Sequence, residues 1–175
     1  MHISVNLAPR QLIEPTLIAE LDEILRSTGI DPSTVWLELT EGALMEEAEQ
    51  TISVLEALRG LGLHLAVDDF GTGYSSLAYL KRFPVEALKV DRTFVDGLGE
   101  EPEATTIVGA VVGLAHSLGI AAIAEGLETP SQLAELRTMG CDSAQGFLFG
   151  SPQPASVIGD FPADDLERWH TGVAS

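Results

Sequence analysis

Asp68 and Asp69 stand side by side at the end of the largely apolar run Leu63–Val67. Ionised carboxylates are costly to bury there unless a cation or hydrogen bonds receive them. One carboxylate of such a pair can bridge two divalent ions while its neighbour binds the second. Paired ions stabilise both the attacking and the leaving oxygen of a phosphoryl displacement. Asn6, Glu38 and Lys89 occupy similar places near the ends of other short apolar segments, and Glu125 and Gln145 end two more. Asn, Glu and Asp oxygens suit Mg2+ or Mn2+, and no His or Cys cluster of the zinc kind is present. Lys89 would act on a phosphate oxygen as an electrophile, or orient the attacking water. The plainer alternative is a buried ion-pair network between Lys89 and the carboxylates.

The elements that must position these groups follow from hydrophobic period. Ile3–Leu7 alternates and reads as a strand closed by Pro9, and Leu12 to Leu25 carries a helical face that stops near Gly29. Strands are then expected at Thr34–Thr40, Leu63–Asp69, Ala87–Val90 and Ile120–Ala124, with a short one leading into Gln145. Helices are expected at Met45–Arg59, at about Ser75–Arg82, from near Pro102, and at Ser131–Met139, with one last short helix at Asp164–His170. Six strands, each followed by helix or loop and none by a hairpin signal, imply a parallel sheet with right-handed crossovers. The fold class is α/β, and at roughly thirty residues per unit it suits a TIM-barrel-like (β/α)8 domain of about 250 residues whose first two βα units are missing. Residues 1–152 form this partial domain and 153–175 a C-terminal tail. Rhythm alone also allows an open doubly wound sheet, although no strand–GxGxxG–helix fingerprint supports it.

Alternation across each strand assigns the faces. Leu37 and Leu39, Leu65 and Val67, and Leu88 and Val90 fall on one face, to be covered by helices. Asn6, Glu38, Asp68 and Lys89 fall on the other, near the C-terminal strand ends where barrel enzymes collect their catalytic groups.

Composition narrows the partners. Nine basic against 27 acidic residues leave a formal charge of −18, which excludes a basic footprint for DNA or RNA. An anionic substrate would need a local positive charge, which a bound metal supplies. Cys141 is alone, so no internal disulfide forms and a reducing, cytoplasmic location fits. The N-terminus lacks the pattern of a secretory signal. Eighteen residues from Ile107 to Ala124 carry no Asp, Glu, Lys or Arg, but His116, Ser117 and Gly119 divide them into helix, turn and buried strand rather than a membrane span.

Five separated stretches together resemble the EAL-type cyclic di-GMP phosphodiesterases: Val5-Asn6-Leu7, Leu37-Glu38-Leu39-Thr40-Glu41, Ala66 to Leu77 with Leu88-Lys89-Val90-Asp91-Arg92, Ala124 to Thr129, and Gln145 to Gly150. The match keeps the family's order and spacing from Ser4 to Pro152. It implies that Asn6, Glu38 and Asp68 bind a first metal and that Asp68 and Asp69 hold a second. Lys89, Glu125 and Asp69 would serve catalysis, and Gln145 and Asp91 would contact substrate. Glu41 and Glu128 would support these groups from behind, Glu41 by tethering the loop 69–76 near the family's dimer interface. The implied reaction is Mg2+- or Mn2+-dependent hydrolysis of cyclic di-GMP to linear pGpG, by a homodimer, with sensory or GGDEF-type domains upstream.

One departure stands out. The family's Glu-x-Leu-x-Arg motif on its first strand is expected before Met1. Glu56-Ala57-Leu58-Arg59 has helical neighbours and Glu86-Ala87-Leu88 begins a strand, so neither replaces it. Two other readings therefore stand beside the hydrolase: an inactive cyclic di-GMP receptor or interaction module, and a metal enzyme using Lys89 as a proton-abstracting base. His64 and Trp36 are expected to be packing residues, and His2, His116 and His170 have no evident partner in the sequence.

Overall fold

The computed structural model describes residues 2–45, 48–71 and 77–158. The chain alternates strand and helix: β1 (Ile3–Asn6), α1 (Pro9–Leu12), α2 (Leu17–Thr28), β2 (Val35–Thr40), α3 (Glu41–Met45), α4 (Ala48–Gly60), β3 (His64–Phe70), α5 (Leu77–Leu80), β4 (Ala87–Val90), α6 (Arg92–Val95), α7 (Pro102–Leu118), β5 (Ala121–Ala124), α8 (Pro130–Thr138), β6 (Ser143–Ala144) and α9 (Ala155–Ile158). The ends follow local chemistry. Gly29 and Gly119 close α2 and α7 in the left-handed conformation, and Pro102 opens α7, where a missing N–H costs nothing. Thr129 and Gln132 form a reciprocal capping box at the start of α8.

The six strands are parallel and hydrogen-bonded in chain order, β1-β2-β3-β4-β5-β6. A doubly wound sheet reverses its strand order at a switch point, so this order excludes that alternative. With right-handed crossovers, sequential order places the connecting helices on one side of the sheet. The other face is left to curl inward, which is the wall of a barrel. The helix side forms the core. Leu39, Leu65, Val67, Leu88 and Val90 are fully buried there with Leu44, Leu55, Leu58, Val95 and Val108. Each fully buried side chain of this kind contributes about 1.5–3 kcal/mol. β1 is different: all four residues are exposed, Ile3 and Val5 among them.

Several boundaries differ from the periodicity. The single face from Leu12 to Leu25 is divided between α1 and α2, because Glu14 and Pro15 interrupt the ladder. A helix starts at Glu41, directly after β2 and earlier than Met45, so the strand runs into it without a linker. The short α6 was not expected at all; the Asp91 carboxylate creates it by accepting from Thr93 N at 2.9 Å. Of the helix expected at about Ser75–Arg82, Leu77–Leu80 is helical and Lys81 and Arg82 form a turn, so it ends earlier than expected. The Asp164–His170 helix and most of the loop 69–76 lie outside the described residues. Ile107–Ala124 divides as expected into α7, a Gly119 turn and β5. No helix among the described residues is long and apolar enough to cross a membrane.

Candidate active site

The pairing of β3 with β4 explains how neighbouring carboxylates can serve one place. Val67 pairs with Leu88 and Phe70 with Val90, so β3 advances three residues while β4 advances two. The extra residue is a β-bulge at Asp68–Asp69, and Asp69 takes a positive φ of 53°. In a regular strand Asp68 and Asp69 would point to opposite faces. Here the bulge lets Asp68 meet Lys89 while Asp69 hydrogen-bonds Asp91, and it returns Phe70 to the core face, where it is 5% exposed.

Lys89 is the centre of the site. Its Nζ lies 2.5 Å from Glu38 Oε2 and 3.1 Å from Asp68 Oδ1, and it also bonds Glu125 Oε1. Its side chain is 3% exposed, and those of Glu38, Asp68 and Glu125 are 10%, 14% and 17% exposed. Glu38, Asp68 and Glu125 each bring one carboxylate oxygen within 4.8 Å of the others. Burial pushes the Lys89 ammonium toward neutrality, but hydrogen bonds to Glu125 and Glu38 and the charge of Asp68 reverse this and hold it above its ordinary range. That direction favours the charged form, which suits Lys89 to hold carboxylates rather than to abstract a proton. Glu125 is raised, mainly by burial and then by Asp68 and Glu38, against the pull of Lys89.

Three carboxylates around one ammonium leave an excess of two negative charges in a nearly dry place. That excess, with an all-oxygen donor set, fits a divalent hard cation. The buried network expected as the plainer reading is present as well, and it is the same set of residues.

The other expected residues surround this centre. Asn6 pairs in register with Glu38, at the exposed end of β1. Asp69 lies outside the tight group and hydrogen-bonds Asp91; burial, then Asp68 and Asp91, raise its carboxyl. Asp91 is lowered, since the hydrogen bonds from Thr93 outweigh burial. Glu41 is buried and its Oε2 accepts from Gly71 N at 3.1 Å, just after the bulge. Gln145 Nε2 donates to Glu125 Oε1 at 2.6 Å. Glu128 pairs with Arg92 at 2.7 Å. A cleft of about 900 Å3 opens beside Glu125 and Gln145, with Arg92, Phe147 and Phe149 in its walls.

The EAL domain model matches residues 1–152. The chain belongs to the EAL domain family. An EAL relative, the cyclic di-GMP phosphodiesterase NbdA of Pseudomonas aeruginosa, is 43% identical over 92% of this chain and 21% of its own length. The EAL fold superposes on the phosphodiesterase PaMucR in complex with c-di-GMP with a TM-score of 0.86 and 41% identity, covering 90% of this chain and 64% of that one. It also superposes on BlrP1 of Klebsiella pneumoniae in a manganese and cyclic di-GMP complex, with a TM-score of 0.78 and 37% identity over 86% of this chain and 39% of that one. The chain spans about a fifth of the length of the curated relatives it matches.

Some features of this EAL chain were not legible. Arg92 sits in a recognised stretch but carried no role; its place after the Asp91 cap was the available signal. At the opposite, N-terminal strand ends, His64 stacks on Trp36 with ring centroids 4.7 Å apart and bonds Glu86, which also meets Arg59 at 2.9 Å. The two misleading Glu-Ala-Leu triplets thus meet each other, far from the carboxylate cluster in chain register. His116, which had no evident partner, bonds Asp142 Oδ2 at 3.0 Å.

Proposed function

We propose that this chain carries the hydrolytic centre of a cyclic di-GMP phosphodiesterase, adding water across one phosphodiester of the ring to release linear pGpG. The observation that carries it is the convergence of Glu38, Asp68 and Glu125 on Lys89 at the C-terminal strand ends. NbdA, named a cyclic di-GMP phosphodiesterase, PaMucR, a phosphodiesterase solved with c-di-GMP, and BlrP1, solved with manganese and cyclic di-GMP, support the substrate and the metal class. Asn6, Glu38 and Asp68 would hold a first Mg2+ or Mn2+, and Asp68 with Asp69 a second. Bound divalent ions supply Lewis acidity to the phosphoryl oxygens and make water a stronger nucleophile.

The chain's own groups do the rest. Lys89, favoured in its charged form by its carboxylate partners, orients three carboxylates at once and offsets negative charge as it grows on the phosphoryl group. Glu125, raised by burial, is suited to receive a proton from the attacking water. Gln145 holds one Glu125 oxygen, which leaves the other to face the water, and Gln145 itself would stand beside the scissile phosphate. Asp91 restrains Asp69 and lines the substrate side. Glu41 holds Gly71 and so the entry to the loop 69–76. Glu128 acts through Arg92. A cytoplasmic location agrees with the unpaired Cys141. Assembly as a homodimer belongs to the same reading, and sedimentation velocity over a range of concentrations checks it.

The direct test incubates the chain with cyclic di-GMP and Mn2+ or Mg2+ and resolves products by ion-exchange chromatography. Appearance of pGpG that depends on the metal supports hydrolysis. Nucleotide binding without any pGpG replaces it with the receptor reading.

A further inference from the structure

The segment Glu125–Thr129 lies between β5 and α8 and belongs to neither helix nor strand. Glu125 must nevertheless be aimed closely, because its carboxylate meets both Lys89 and Gln145. The next residue, Gly126, turns the chain at a φ of +73°, and the arm of Arg92 lies across it. A Cβ on Gly126 would stand 2.3 Å from Arg92 Cγ and 2.8 Å from its Cβ and Cδ, so the arm fills the space a side chain would take. The guanidinium then reaches past the turn to Glu128 Oε1 at 2.7 Å, while its Nε lies 3.3 Å from Asp96 Oδ2. Arg92 itself is fixed at the start of α6 by the Asp91 cap. Gln132 makes a second tie, accepting from Glu128 N at 2.9 Å and donating to Val95 O at 3.2 Å.

We propose that Arg92 is a positioning residue: its arm, held between Gly126 and Glu128, fixes the turn that aims Glu125 at Lys89 and Gln145. Its effect on turnover rests on the hydrolase reading above, whereas its effect on geometry does not. As a half-exposed ion pair, Arg92–Glu128 adds little to stability. Its consequence is placement, and small misplacements of reacting groups are expensive.

The test compares the wild-type chain with Arg92→Met, which keeps an apolar arm and loses the charge, and with Arg92→Lys. Two readouts are taken: kcat and KM for cyclic di-GMP with Mn2+, and the 15N–1H signals of the Gln145 side-chain amide. That amide is assigned by its disappearance in Gln145→Glu. In Arg92→Met, kcat should fall about 10- to 100-fold while KM stays within about threefold. The Gln145 amide should move toward the position of a free glutamine. Arg92→Lys should recover part of both, since an ammonium still reaches Glu128. An unchanged kcat overturns the proposal, as does a raised KM at full kcat, which would place Arg92 on the substrate instead. If the wild-type chain makes no pGpG, the hydrolase reading falls separately and the amide decides. An unmoved Gln145 signal in Arg92→Met then overturns the positioning role.

Discussion

Replacing Lys89 by Met tests the electrostatics of the site independently of turnover. Methionine nearly preserves the volume and removes the ammonium, leaving Glu38, Asp68 and Glu125 with oxygens within 4.8 Å of one another. At that distance and an effective dielectric of about 20, each carboxylate pair repels by about 3.5 kcal/mol. The cluster relieves part of this by taking up protons, so the expected loss at pH 7 is nearer the ~3–5 kcal/mol found on breaking a buried ion pair. With a urea slope of about 2.5 kcal/mol per molar, the unfolding midpoint should drop by about 1–2 M. The sign of the pH effect follows from linkage. Glu125 is raised by burial and by Asp68 and Glu38, and the variant loses the opposing pull of Lys89. A raised carboxylate destabilises the fold as pH rises through its folded value, so Lys89→Met should recover toward wild type as pH falls. Mn2+ should stabilise the variant as well, by about 2.7 kcal/mol at a hundredfold excess over its dissociation constant. Urea unfolding followed by circular dichroism, at pH 7 and at lower pH, with or without MnCl2, measures all three. A midpoint at pH 7 within 0.3 M (about 0.75 kcal/mol) of wild type would refute the reasoning, because the carboxylates would then be adequately solvated without their cation.

Asp68→Asn should lower metal-dependent turnover by about 10²–10³-fold, since it removes charge where negative ligands converge; unchanged Mn2+ affinity by calorimetry and an unchanged rate would defeat the site assignment. Asp142 is lowered because, against burial, it accepts from Ala122 N at 2.8 Å and from His116 at 3.0 Å. A depressed carboxylate stabilises above its unfolded pKa and loses that contribution as pH falls through its folded one. The stability gap between wild type and Asp142→Asn should thus close as pH falls below about 4, as read from urea midpoints on either side of that pH. Gly146→Ala should cost about 1–3 kcal/mol by overpacking, because its Cβ would lie 2.1 Å from Leu127 N; a thermal midpoint equal to wild type would contradict that contact.

Local pattern reached far into the fold. Ala87–Val90 is a short apolar run broken only by Lys89, and its strand bounds were legible; Gly119 divided the uncharged stretch before β5 correctly. The faces of β2 and β3 were equally legible, since Leu37, Leu39, Leu65 and Val67 can be buried only on the side away from Glu38 and Asp68. Helix ends were less so. Glu41 caps nothing recognisable, yet α3 starts there because the strand end delivers it directly into the next turn. α6 depends on a single side-chain cap, a signal too small to stand out beside hydrophobic period.

The residue types of the site were determined by the sequence alone, because few buried environments tolerate Asn, Glu, Asp, Asp and Lys at strand ends unless they meet one another or a cation. Tertiary structure decided which of them meet. Strand order and register carried Glu38, Asp68 and Glu125 to one ammonium across four strands, distances that no local pattern encodes. The bulge decided how the adjacent carboxylates divide, Asp68 to Lys89 and Asp69 to Asp91. The laying of Arg92 over Gly126 is likewise a contact between segments 34 residues apart (126 − 92). Period and composition act within a strand or a helix turn, whereas the placing of charges depends on how the strands are stacked side by side.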